Sequence, residues 1–143
     1  QKNAEQNISI LADIPKSLPA LSQAAKIQKR CAHVGFDWHN IDDVFAKVEE
    51  EVQEVKHELH DAPDALAEEL GDLMFAVVNL CRHAKQDPEN LLRLANKKFS
   101  QRFYQVERQV TESNKSFADH SLDELEAYWQ QAKKVKTAMN EID

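Results

Sequence analysis

Glycine is nearly missing from this chain. Two glycines, Gly35 and Gly71, among 143 residues cannot write G-x-G-x-x-G or G-x-x-x-x-G-K-[ST], so glycine-rich phosphate cradles are excluded. The same shortage disfavours a sheet built on tight hairpins, whose primed turns need glycine or Asn-Gly. Two cysteines, Cys31 and Cys81, make neither a disulfide framework nor a C-x-x-C metal knuckle. Both sit in helical apolar patterns and read as reduced, buried or half-buried thiols. Basic charge is short as well. With 18 Lys and Arg against 25 Asp and Glu, the net charge of −7 is the wrong sign for a sequence-independent grip on a nucleic-acid polymer. The longest apolar run, Leu73 to Val78, is far below the ~20 residues that span a bilayer, and no charged-then-apolar targeting segment opens the chain. Together these absences predict a soluble, cytoplasmic, mostly helical protein with no membrane partner.

What is present is helical periodicity, and the length suits one ordinary domain. Residues 1–17 read as a linker or tail, because Pro15 and Pro19 block a continuous helix. A short helix is predicted from about Pro19 to His33, followed by an aromatic loop, Val34-Gly35-Phe36-Asp37-Trp38. Asn40 is a suitable N-cap for a second helix to about Leu59, with Ile41, Val44, Phe45, Val48, Val52, Val55 and Leu59 on its apolar side. His60-Asp61-Ala62-Pro63-Asp64 breaks it. A third helix is predicted from Pro63 to Ala84, with Leu66, Leu70, Leu73, Met74, Val77, Val78 and Cys81 inward. Asp87-Pro88-Glu89 restarts a fourth as N-cap, N1 proline and early acid. Ser121 with Glu124 forms a capping box that opens a fifth. The expected fold class is all-α, without internal repeats.

The acids are placed in a pattern. Glu51 and Glu54 are three residues apart on the second helix, and Glu69 and Asp72 three apart on the third, so each pair projects from one helix face. If the two helices form an antiparallel hairpin about residues 60–64, Glu51 lies level with Asp72 and Glu54 level with Glu69. Four carboxylates meeting at one height repel unless some stay protonated or a cation sits among them. An all-oxygen, histidine-free set suits a hard ion, Mg²⁺ or Mn²⁺, shared with substrate phosphates. The plain alternative is that the acids only solvate the bundle. A di-iron bundle fits poorly: Glu54 and His57 supply Glu-x-x-His once, and the third helix offers Asp72 where a second histidine would stand. His33, His39, His60, His83 and His120 show no ligand spacing and read as surface or loop residues.

A metal awaiting phosphates calls for cations nearby. Lys47 precedes Glu51 by four on the second helix, Lys98 and Arg102 are four apart on the fourth, and Asn79 and Arg82 follow Asp72 on the third. Lysine would act as a point charge and arginine as a planar fork. Trp38 and Trp129 could stack on a flat ring, or fill half-buried core positions.

These residues carry a resemblance. Lys47-Val48-Glu49-Glu50-Glu51-Val52-Gln53-Glu54, then Glu68-Glu69-Leu70-Gly71-Asp72 through Arg82, resembles the MazG-type nucleoside triphosphate pyrophosphohydrolases, whose signature is E-E-x-x-E followed by E-x-x-D. The Val34–Trp38 loop, the Ala95–Phe103 stretch, Val106-Glu107 and the final Leu122-x-x-x-Glu126-x-x-Trp129 are similar too. The resemblance looks closest to the C-terminal catalytic domain of the two-domain bacterial members. It implies a catalytic domain over residues 18–140 and residues 1–17 as an inter-domain linker, in keeping with a chain that opens on Gln1. It further implies a homodimer or tetramer with a four-helix core, and Mg²⁺-dependent cleavage of a nucleoside triphosphate to the monophosphate and pyrophosphate. By the same resemblance Glu51, Glu54, Glu69 and Asp72 hold metal, and Glu50 and Lys47 belong to the catalytic machinery. Lys98, Arg102, Asn79 and Arg82 take the phosphates, and Trp38 or Trp129 flanks the base. The competing reading is a non-catalytic helical dimerisation or nucleotide-binding regulatory module.

Overall fold

A computed structural model describes the backbone of residues 8–142 and the side chains of residues 8–135. Residues 1–7 of the expected linker therefore lie outside the described residues. Among those described there are five α-helices, one short 3₁₀ turn and no strand. The helices are α1 (Ala20–His33), α2 (Ile41–Glu58), α3 (Pro63–His83), α4 (Pro88–Glu112) and α5 (Leu122–Ile142), with the 3₁₀ turn at Phe117–Asp119. The all-α expectation holds. The 3₁₀ turn was not anticipated, and α5 runs well past Ala132.

Local chemistry sets the boundaries. The Asn40 side chain accepts from the Asp43 N–H at 2.9 Å, satisfying one of the first-turn donors of α2, where Asp42 and Asp43 also favour the helix dipole. Pro63 opens α3 at a position that needs no N–H. The Asp87 side chain accepts from the Glu89 N–H at 3.0 Å and starts α4. At α5 the capping box forms as expected: the Glu124 N–H donates to Ser121 Oγ (3.1 Å), and the Ser121 N–H donates to Glu124 Oε1 (2.8 Å). Helix α1 starts at Pro19 without a side-chain cap of its own. Glu89 supplies one from a distance, its Oε1 accepting from the Ser22 N–H (3.3 Å) and Oγ (3.2 Å).

The end of α1 explains one of the two glycines. Gly35 has φ +91°, and the chain closes with Gly35 N–H to the Ala32 carbonyl (2.9 Å) and Phe36 N–H to the Cys31 carbonyl (3.0 Å). This paired closure needs a left-handed residue, which glycine adopts without a Cβ penalty. Lys85 plays the same part after α3 with φ 63°, the Gln86 N–H reaching the Cys81 carbonyl at 2.9 Å.

The chain divides into two compact units, one ending at Leu91 and one beginning at Leu92. In the first, α2 and α3 pack along each other as a hairpin and α1 packs on α3. Its buried side chains include Ile14, Gln28, Val44, Glu51, Ala76 and Val78. Residues before α1 fold back onto it: the Arg30 guanidinium bonds the Ile10 carbonyl at 2.9 Å and pairs with Asp13. In the second unit Val106, Val110 and Ala132 form a core covered by Leu125, Tyr128 and Trp129.

Several residues expected to point inward do not. Phe45, Val52, Leu70, Met74 and Val77 on the α2–α3 hairpin are exposed, Met74 at 60%. One helix hairpin has two sides, and α1 lies on α3, so the apolar positions outnumber the partners that this unit supplies to cover them.

Candidate metal and nucleotide site

Helix α2 brings Glu51 and helix α3 brings Glu69 and Asp72 to one place. One carboxylate oxygen from each lies within 4.8 Å of the other two. The spacing of three on α3 puts Glu69 and Asp72 on the same face, and hairpin packing brings Glu51 opposite. Glu51 is the deepest of the three, at 8% exposure, whereas Asp72 faces solvent. Glu54 falls outside that close group, but its charge still reaches Glu69. Loss of hydration raises the pKa of Glu69 above the ordinary carboxylate value, and the neighbouring charges of Glu54, Asp72, Glu51 and Glu68 add to the rise.

The donor set fits a hard divalent cation on an observation independent of the motif. Glu51 Oε1 receives the Lys47 ammonium at 3.1 Å, yet Glu51 Oε2 is buried with no hydrogen-bond partner. A buried anionic oxygen left without a donor is costly, and an ion shared with Glu69 and Asp72 would satisfy it. Lys47 also reaches Glu50 Oε1 at 3.4 Å. Its pKa is raised, first by the hydrogen bond to Glu51 and then by the charge of Glu50, against an opposing loss of hydration. Glu50 itself is 60% exposed along its side chain.

Beside the acids lies a cavity of about 480 Å³, a size suited to a small-molecule ligand. Glu51, Asp72 and Lys47 form its charged part, Ile27, Cys31, Phe75 and Ala76 its apolar part, and the α1–α2 loop brings Phe36 and Trp38. Trp38 is 46% exposed. Gln28 of α1 also lines this cavity and is buried. Its Nε2 donates to the Phe75 carbonyl at 3.0 Å, while its Oε1 has no partner.

Asn79 and Arg82 line the cavity too, but the Arg82 guanidinium and the Asn79 side-chain oxygen are engaged. The Arg82 guanidinium forks onto Asp37, Nη1 to Oδ2 at 3.1 Å and Nη2 to Oδ1 at 2.6 Å. It also donates to Asn79 Oδ1 from Nε (3.2 Å) and Nη2 (2.7 Å). His83 Nε2 lies 2.9 Å from Asp37 Oδ1. The Arg82 hydrogen bonds hold the Asp37 carboxyl far below the usual carboxylate range, with His83 and the Trp38 N–H assisting against the cost of burial. Asp37 was missed as a site residue, since nothing in its spacing announces a partner 45 positions away.

Two histidines correct the surface assignment. His83 is only 12% exposed along its side chain and faces Asp37. His120, at 9%, sits in the second unit with Nδ1 at 2.7 Å from the Ser116 carbonyl and Nε2 near Ser113 Oγ (3.3 Å) and the Tyr128 hydroxyl (3.2 Å). Both are tied down because a histidine ring has two polar atoms that burial must satisfy.

The remaining candidates belong to the second unit. Lys98 and Arg102 share a face of α4 by their spacing of four. Lys98 is exposed and Arg102 half-buried, with its Nε lacking a partner. Trp129 packs against Phe99, ring centroids 5.0 Å apart, on the Val106–Val110–Ala132 core. That is the half-buried packing role weighed beside base stacking.

Comparison with known proteins gives the same direction. Residues 40–106 match the model of the MazG nucleotide pyrophosphohydrolase domain. An Escherichia coli (strain K12) protein named nucleoside triphosphate pyrophosphohydrolase is 49% identical over 129 residues, covering 88% of this chain and 49% of that protein. A Thermotoga maritima protein named nucleoside triphosphate pyrophosphohydrolase/pyrophosphatase MazG is 39% identical over 133 residues, 93% of this chain and 51% of its own length. A Bacillus subtilis protein, named only as uncharacterized protein YabN, is 43% identical over 140 residues, 94% of this chain and 29% of its own length. The chain thus spans about half the length of the first relatives it matches. The paired acids on a helix hairpin, the family match across α2 and α3, and the identity along most of the chain agree: residues 40–106 are a MazG nucleotide pyrophosphohydrolase domain.

Proposed function

We propose that this chain is the catalytic part of a nucleoside triphosphate pyrophosphohydrolase, converting a ribo- or deoxyribonucleoside triphosphate and water to the monophosphate and pyrophosphate. The observation that carries the reading is the Glu51–Glu69–Asp72 cluster, with its buried unpartnered Glu51 oxygen, at the edge of a nucleotide-sized cavity. The names of the Escherichia coli and Thermotoga maritima relatives support the same activity.

Glu51, Glu69 and Asp72 would hold Mg²⁺, with Mn²⁺ as a substitute and Glu54 as the fourth carboxylate of the set. When bound, the ion would supply charge stabilisation for the phosphates and polarise water. The protein's own groups have the following parts. Lys47 balances Glu51 in the protein alone and can turn to a phosphate oxygen when a cation replaces it there. Glu50, solvent-facing and within reach of Lys47, would take a proton from water. Lys98 and Arg102 are assigned to phosphate binding by the family resemblance alone. Trp38 offers a flat apolar wall to the base, and Trp129 serves packing first. The catalytic domain is assigned to residues 18–140, residues 1–17 to a linker, and the protein to the cytoplasm. No helix among the described residues is long and apolar enough to cross a membrane. A second copy covering Leu70, Met74 and Val77 would complete a four-helix core, giving a homodimer or a pair of dimers.

The test is pyrophosphate release from a panel of ordinary and modified NTPs and dNTPs, with Mg²⁺ and with chelator. Glu54→Gln and Asp72→Asn should lower turnover by orders of magnitude while helicity survives. A chain that binds nucleotide with no release of pyrophosphate would be the regulatory module instead, and one that binds neither nucleotide nor Mg²⁺ a dimerisation module.

A further inference from the structure

The strongest polar knot in the first unit touches no acid of the metal cluster. Asp37 stands between Phe36 and Trp38 in the loop after α1. Its Oδ1 accepts from the Trp38 N–H at 2.8 Å and from Arg82 Nη2 at 2.6 Å, and its Oδ2 accepts from Arg82 Nη1 at 3.1 Å. Asn79 Oδ1 holds the other edge of the guanidinium. The pair is shielded, with side-chain exposures of 14% for Arg82 and 24% for Asp37.

A two-point fork of this kind fixes orientation as well as distance. Arg82 and Asp72 belong to the same continuous helix, α3, so a loop pinned to Arg82 is held at a set position relative to Asp72. Gly35, with its left-handed φ, leaves the start of the loop without side-chain restraint. The Asp37 contact is what fastens the other end. Trp38 and Phe36, on either side of Asp37, are thereby presented to the cavity.

We infer that Asp37, Arg82 and Asn79 form a positioning clamp that holds Trp38 as a fixed wall for the nucleobase, and that Arg82 serves this loop and not the triphosphate. The inference rests on the pyrophosphohydrolase reading for the identity of the ligand, but not for the clamp itself. It assigns to base binding two residues, Asn79 and Arg82, that the family resemblance gave to the phosphates.

The experiment compares Asp37→Asn, Arg82→Lys and the double variant in the full chain. Steady-state kinetics use the best NTP substrate, with inorganic tripolyphosphate as a competing ligand that has phosphates but no base. Each single variant should raise KM about tenfold with kcat little changed, the energy of a charge-assisted hydrogen bond appearing in binding. The double variant should be no worse than the weaker single, and inhibition by tripolyphosphate should stay as in the unsubstituted protein. Arg82→Lys weakening tripolyphosphate as much as nucleotide would overturn the clamp and return Arg82 to the phosphates. So would additive effects, or unchanged KM. The Trp38 indole resonance in an ¹H–¹⁵N spectrum supplies a readout without substrate: it should move in both single variants, and an unmoved signal overturns the clamp. A protein that hydrolyses no triphosphate would defeat the proposed function, and the indole signal would still decide the clamp. Should Asp37→Asn fail to fold, Arg82→Lys and Asn79→Ala carry the same comparison.

Discussion

Removing the charge of Glu51 separates its two possible duties, metal ligand and packing residue. In the metal-free protein Glu51→Gln loses the 3.1 Å contact with Lys47 and also relieves the crowding with Glu69 and Asp72. These changes oppose each other, and a partly exposed ion pair is worth about 1 kcal/mol or less, so the metal-free Tm should stay close to that of the unsubstituted chain. The difference should appear on adding Mg²⁺. A ligand at about 100 times its Kd stabilises the folded state by roughly 2.7 kcal/mol. For a chain of this size that corresponds to a rise in Tm of about 5–10 °C. The unsubstituted protein should show the rise, and Glu51→Gln should lose most of it, because the most buried carboxylate of the cluster then offers only an amide oxygen. The assay is differential scanning calorimetry with Mg²⁺ and with chelator. A full Mg²⁺-dependent rise retained in Glu51→Gln would refute the reasoning that Glu51 holds the ion.

Other consequences are independent of the metal. Ser121→Ala should destabilise the protein by about 1 kcal/mol in urea denaturation, through loss of the α5 cap. Val44, 1% exposed, should cost about 2 kcal/mol on truncation to Ala, by transfer and cavity terms together, and calorimetry would check it. Gly35→Ala, at φ +91°, should cost about 1 kcal/mol through left-handed strain, read from the urea midpoint. The Asp37 carboxyl is held below its unfolded value by Arg82, so the unfolded chain takes up that proton first as pH falls. The stabilisation is therefore complete above the ordinary carboxylate range, and is lost progressively as pH drops through it toward the lower folded value. Asp37→Asn should flatten the acid limb of the stability curve, and unchanged acid sensitivity would argue against the Arg82 pair as its source.

Much of this molecule was legible in one dimension. Helix starts at Asn40, Pro63, Asp87 and Ser121 follow from local hydrogen bonding, which acts over three or four residues and so leaves its mark in sequence. The meeting of Glu51, Glu69 and Asp72 was foreseeable too, because a short break between two helices leaves a hairpin little choice of register. What depended on tertiary structure was every contact between elements joined by no short turn. Asp37 with Arg82, Glu89 with Ser22, and Gln28 with the Phe75 carbonyl link positions 45 to 67 residues apart. Burial was equally indirect. Periodicity identified the apolar faces of α2 and α3, but only packing showed Val44 and Val78 enclosed while Phe45 and Met74 stayed open. A side chain's type sets its preference for water, and its neighbours decide whether that preference is met.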